Sequence, residues 1–125
     1  MPDMTSQTFT VTEADTAIAV GSGSLPVLAT PRLIAWCEAL TCAALDDLQE
    51  PLTSVGTRVD VAHLAPSAVG DRVEVTATIT ERTERRVQFT VAATHCSTVV
   101  GRGTISRAIV DSKRFMSKLA ARSAR

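Results

Sequence analysis

The chain has 125 residues and a mass of 13.2 kDa, the size of one domain spanning residues 1–125. Hydrophobic residues at 45% are enough for one buried core, and 13 Lys and Arg against 13 Asp and Glu cancel, which removes any bulk pull toward nucleic acid or a membrane surface. Three Phe, one Trp and no Tyr leave no base-stacking platform, and no apolar run reaches the ~20 residues of a membrane span.

In chain order, residues 8–20 (TFTVTEADTAIAV) open with alternating Phe9 and Val11 and read as a strand. Gly21-Ser22-Gly23-Ser24 breaks it, and Pro26 and Pro31 bracket a short extended segment. Residues 31–48 (PRLIAWCEALTCAALDDL) form the one long helix, with Thr30 as N-cap and Pro31 at the first helical position. Leu33, Trp36, Cys37, Leu40, Ala44 and Leu48 keep helical spacing, and Ile34 and Leu45 widen that face, which predicts a buried central helix.

After residue 51 the period changes to two. The spacing places Val55, Thr57, Val59, Val61 and His63 on one face of a strand over 53–63. Two more strands follow over 72–81 and 86–95, with Val73, Val75, Ala77, Ile79, Val87, Phe89, Val91 and Ala93 facing inward. A last strand over 98–111 contains Gly101 and Gly103, which mark a bulge or a close backbone approach. The tail 112–125 holds Lys113, Arg114, Lys118, Arg122 and Arg125 with no acid, and its start packs through Phe115 and Leu119.

One strand, one helix and a four-strand meander define an α+β class. A long central helix wrapped by a curved antiparallel sheet of about five strands is the hotdog architecture. Such a sheet leaves apolar and edge surface uncovered, which favours a two-fold homodimer.

Polar residues inside apolar elements are the candidates for chemistry. Glu38 lies two turns into the helix, where an unpaired buried carboxylate is costly; it either points to solvent, pairs with a neighbour such as Arg32, or lines a cavity. His63 ends a strand before the LAPS turn, as a structural residue or as a general acid or base. His95 sits in an equivalent position and reads as structural. Thr30 is explained by capping, though a hydroxyl at a helix start also suits a ligand. Gly56 inside a strand marks a bulge, or an amide offered to a substrate carbonyl. Cys37 reads as core, and Cys37, Cys42 and Cys96 form neither a disulfide framework nor a metal-binding spacing. Met1–Gln7 lacks the basic and apolar regions of a secretory signal. The expectation is a cytoplasmic, reduced, metal-free domain without a cofactor.

The segments LPVLATPRLIAWCEAL and LTSVGTRVDVAHLAPSAVGDRVEVTATIT resemble the fluoroacetyl-CoA thioesterase-like family of hotdog proteins, over roughly Thr8 to Phe115. The resemblance implies hydrolysis of an acyl-CoA thioester without metal. It implies catalytic roles for Thr30, Glu38 and His63, a thioester contact at the Gly56 amide, and substrate binding by Arg107. The fluoroacetate-specific member carries phenylalanines upstream of its threonine; here that stretch is Gly21–Ser24, which implies a different short or medium acyl group. Thr30 and Glu38 are eight residues apart, about 12 Å along a helix, so a site using both needs an irregular first turn, a bridging substrate or two chains. Arg58, Arg72, Arg102 or the basic tail would meet the CoA phosphates. Two other readings use the same residues. A non-catalytic acyl-CoA binding module needs the pocket and Gly56 only. An enoyl-thioester hydratase needs an Asp–His dyad, and alternation puts Asp60 and His63 on opposite faces.

Overall fold

The computed structural model describes residues 4–123, so the readings of Met1–Asp3 and Arg125 lie outside the described residues. Its elements are β1 (Met4–Thr10), a 3-10 turn (Glu13–Asp15), α1 (Ala17–Val20), α2 (Thr30–Ala43), β2 (Leu52–His63), β3 (Arg72–Arg82), β4 (Arg86–His95), β5 (Thr98–Asp111) and α3 (Ser112–Ser123). The five strands form one antiparallel sheet in the order β1-β3-β4-β5-β2, curved around α2 as in the hotdog fold.

This order corrects the expected meander. β2 pairs with β5, not with its sequence neighbour β3. The connection over 64–71 crosses the end of the sheet, where Leu64 N–H donates to the Val100 carbonyl (2.7 Å) and Gly70 N–H to the Val11 carbonyl (2.8 Å). The strand expected over 8–20 also stops early, at Thr10. The backbone N–H and hydroxyl of Thr12 both donate to the Asp15 carboxylate at 2.8 Å, which turns the chain into helical geometry. The Thr16 hydroxyl caps α1, and Gly21 ends it at φ +85°, a conformation that disfavours any side chain.

Period two on β3 and β4 delivers the expected core. Val73, Val75, Ala77, Val87, Phe89, Val91 and Ala93 are buried against Leu33, Trp36, Cys37 and Leu40 of α2. Phe9 of β1 stacks on Trp36 with ring centroids 4.7 Å apart. Helix α2 stops at Ala43, short of residue 48, and the chain continues in turns. It is buried on one side only, because Ala35, Ala39, Cys42 and Ala43 are exposed. The tail forms α3, whose Phe115, Met116 and Leu119 stay exposed. No helix among the described residues is long and apolar enough to cross a membrane.

Both readings of the β5 glycines hold. A Cβ on Gly101 would lie 2.9 Å from the Ala62 carbonyl oxygen and from Leu33 Cδ2, and the β4–β5 register shifts between Ala93 and Thr94. Phe89 is fully buried at the centre of the inner face. Phe89→Ala should cost about 3–5 kcal/mol in urea denaturation, the transfer and cavity penalty of a lost aromatic ring.

Candidate active site

One extra residue in β2 arranges the site. The β2–β5 register shifts between Gly56 and Arg58, so Thr57 is bulged. Directly paired residues share a face of the sheet. Val59, Val61 and His63 pair with Ile105, Gly103 and Gly101, whereas Gly56 and Ser54 pair with Arg107 and Ile109. Ile105 and Arg107 are both buried, two residues apart on the inner face. The inner face of β2 is therefore Ser54, Gly56, Val59, Val61 and His63. The expected alternation through Val55 and Thr57 fails because the bulge switches sides, and that switch turns Gly56 toward α2. Asp60 pairs with Thr104 on the outer face, opposite His63, which removes the Asp–His dyad of a hydratase.

Thr30 is not the N-cap. Ala29 occupies that position, and Thr30 is the first helical residue. Its hydroxyl is instead hydrogen-bonded to His63 Nδ1 at 2.8 Å. The other ring nitrogen, Nε2, is buried without a protein partner among the described residues. Burial pushes the His63 pKa below the ordinary histidine value, and the Ala65 backbone, outside hydrogen-bonding geometry, opposes this only in part. Beside the pair lies a cleft of about 300 Å³, lined by Ala17, Val27, Leu64 and Pro66 among others.

The second cluster lies further along α2. Glu38 is near Arg107, with Oε2 3.9 Å from Nη1, and the two side chains are 40% and 8% exposed. Arg32 pairs instead with Asp15 at 3.2 Å, so the expected Arg32–Glu38 pair does not form. Arg107 is held by the Ser54 hydroxyl (2.8 Å from Nε), the Ser54 carbonyl (3.1 Å from Nη2) and the Thr41 hydroxyl (3.4 Å from Nη1). Thr41 in turn donates to the Glu38 carbonyl at 2.7 Å. A Cβ on Gly56 would lie 2.6 Å from Glu38 Oε2 and 3.7 Å from Arg107 Nη1. A side chain there would displace the Glu38 carboxylate, and Gly56, Glu38 and Arg107 form one cluster.

The sequence reading missed Ser54 and Thr41. Thr41 carried a signal, a polar residue on the apolar face three positions after Glu38. Ser54 became legible only once the bulge placed it beside Arg107. The structure thus groups Thr30 with His63, and Glu38 with Gly56 and Arg107, and shows no contact between the two groups. His95 Nδ1 hydrogen-bonds the Arg72 carbonyl at 2.7 Å, as a structural residue does. Burial, with the Glu38 charge adding to it, pushes the Cys37 thiol up to about 11, which keeps it an inert core group. Among the described residues no three His, Cys, Asp or Glu side chains converge as a metal site.

The depressed His63 pKa fixes a sign. The ring is neutral in folded and unfolded chains above about pH 6.5, and stability is lost as pH falls from there toward the lower folded midpoint. Titration of the ring by NMR should place His63 below 6.5; a midpoint at or above that value contradicts the burial described.

Known proteins share this fold. The family model described as fluoroacetyl-CoA-specific thioesterase (FlK) matches residues 11–113. No curated protein sequence matches the chain significantly. Among solved structures, the fluoroacetyl-CoA thioesterase FlK is 26% identical, with a TM-score of 0.88 over 97% of this chain and 95% of that one. Structures of FlK variants hold fluoroacetate and CoA, or acetyl-CoA. A thioesterase superfamily member from Thermus thermophilus, 22% identical, shares the fold at a TM-score of 0.87 over 97% of this chain and 90% of its own. A hot-dog-like protein from Thermanaerovibrio acidaminovorans does so at 24% identity and 0.88, over 97% and 90%. With the family model covering most of the sequence, the chain belongs to the FlK thioesterase family of hotdog enzymes and is a thioester hydrolase.

Proposed function

We propose that the protein hydrolyses a short or medium acyl-CoA thioester, using Thr30, Glu38, His63, Gly56 and Arg107 in a site built from two copies of the chain. The observation that carries this reading is the split of the five residues into two clusters, each with an unused reactive group. His63 offers a neutral Nε2, and Glu38 offers a carboxylate beside the Gly56 backbone.

Strand β2 supports the pairing. It is a sheet edge of 12 residues, and Val59 at its middle is 38% exposed. An edge of this length invites an antiparallel partner. If a second β2 pairs with it about a two-fold axis at Asp60, the middle register position between Gly56 and His63 once the bulged Thr57 is skipped, each Gly56 comes opposite the other copy's His63. That arrangement forms two equivalent sites and gives the exposed Ala35, Ala39 and Cys42 face of α2 a partner.

In the proposed reaction the carbonyl oxygen lies at the Gly56 amide, which stabilises the charge developing on it. Glu38 either attacks the carbonyl carbon or withdraws a proton from an attacking water. With Nδ1–H donating to Thr30 Oγ1, His63 keeps a lone pair on Nε2, relays a proton and delivers it to the departing thiolate. Arg107 orients the Glu38 carboxylate. One water is consumed, the C–S bond breaks, and a carboxylic acid and free CoA are released. Upstream of Thr30, Gly21–Ser24 supplies no aromatic cover for the cleft, which suits acyl groups other than fluoroacetyl.

Thiol release from a panel of acyl-CoAs tests the chemistry. Glu38→Gln and His63→Ala should each lower kcat/KM at least about a hundredfold while remaining folded. Acyl-CoA binding without release by the wild type would leave a binding module. Mixing tests the composite site. Equal amounts of Glu38→Gln and His63→Ala chains, unfolded and refolded together, should recover roughly a quarter of wild-type activity, because half the dimers are mixed and each holds one intact site. No recovery would place all five residues in one chain. Gly56→Ala should reduce turnover about 10- to 100-fold with little loss of stability, because its methyl displaces the flexible Glu38 carboxylate.

A further inference from the structure

The C-terminal helix is the least explained part of the molecule. Every charged side chain on α3 is basic: Lys113, Arg114, Lys118 and Arg122. Among the described residues none of the four has an acidic side chain within ion-pair distance. Phe115 and Leu119, one turn apart, are 42% and 38% exposed on a helix with no buried residue. With Lys118 and Arg122 they line a concavity of about 350 Å³. An aromatic ring, an aliphatic side chain and two unpaired cations meet in one place.

That combination fits an adenine ring joined to phosphates. The flat base lies on Phe115 and Leu119, and the cations meet phosphate oxygens. The helix is also tied to the site. It follows β5 with no intervening loop, its first residue donates from Ser112 N–H to the Pro51 carbonyl at 2.8 Å, and Arg107 lies five residues back on β5. Five extended residues span roughly 17 Å from Arg107 to the start of α3, and Phe115 lies one turn further along the helix. Between them, a cleft floored by Leu48, Leu52 and Ile109 opens on the inner face beside Ser54, which pairs with Ile109. Arg82 and Arg85 line that cleft together with Glu84, so its rim is of mixed sign, whereas α3 presents one sign only.

We propose that α3 is the docking surface for the 3′-phospho-ADP end of the CoA substrate, held by Phe115, Leu119, Lys118 and Arg122. This rests on the thioesterase reading, and it deepens that reading by naming the residues that hold the nucleotide end of the substrate.

The test compares one acyl group on CoA with the same group on pantetheine, using wild type, Lys118→Glu/Arg122→Glu and Phe115→Ala. All three residues are exposed, so both variants should keep wild-type circular dichroism. The charge-reversal variant should raise KM for the acyl-CoA about tenfold at low salt, with kcat unchanged, and the difference should shrink as salt is raised. Kinetics on the acyl-pantetheine should not move. Calorimetric binding of adenosine 3′,5′-bisphosphate should weaken in parallel, a readout that does not depend on turnover. An unchanged KM with unchanged bisphosphate binding overturns the proposal. So does an equal loss on both thioesters, or a change of assembly mass in the variants, which would make α3 a contact between copies. Binding to anionic phospholipid vesicles with unaltered KM would make it a membrane contact instead. Failure of the wild type to hydrolyse either thioester while it still binds the bisphosphate would sink the thioesterase mechanism and leave α3 as a nucleotide site.

Discussion

Thr57 stands as one residue more than its partner strand can match, and the inner face of β2 changes sides around it. In a regular strand Gly56 and His63 would point to opposite faces, because their separation is an odd number of residues. The bulge makes both face α2, so one helix meets the strand at two places, Thr30 at His63 and Glu38 at Gly56. A strand without the bulge would keep the fold and lose one of the two clusters. Bulges bend edge strands and re-aim single positions, and this one lies in an edge strand beside the residues it aims.

Arg107 is the second constraint. A guanidinium this deeply buried must have its donors satisfied, and the protein meets that need mainly with neutral groups: the Ser54 hydroxyl, the Ser54 carbonyl and the Thr41 hydroxyl. Glu38 is left at 3.9 Å, near enough to feel the charge and not locked into a close pair. A carboxylate held this way keeps an oxygen free for chemistry, which a tight bidentate pair would occupy. His63 follows the same logic from the other side: one nitrogen is fixed by Thr30, and the other is buried without a protein partner among the described residues.

The surface left open has a pattern. Val59 on the β2 edge and Ala35, Ala39 and Cys42 on α2 are apolar or small and exposed within a single chain. These are the places that the proposed two-fold pairing would cover. The basic, apolar face of α3 lies outside that set, which is why a different occupant is assigned to it.

Much of this was legible from residue order. Period two on β3 and β4 and the apolar spacing of α2 determine the buried faces, because alternation and helical spacing are local geometry. Glu38, His63, Gly56 and Arg107 stood out as polar or glycine positions inside apolar elements, or through a family resemblance. The order of the strands, with β2 beside β5, was not legible, since an eight-residue connection serves a crossing as well as a hairpin. Nor was the role of Thr30: a threonine before a helical proline caps by default, and only the arrival of His63 across the fold gave its hydroxyl another partner. The sequence by itself determined the buried faces of α2, β3 and β4 and which polar groups are out of place. The tertiary structure decided which of those groups meet, because a single bulged residue and a strand crossing set contacts between segments far apart in the chain, and no local pattern encodes them.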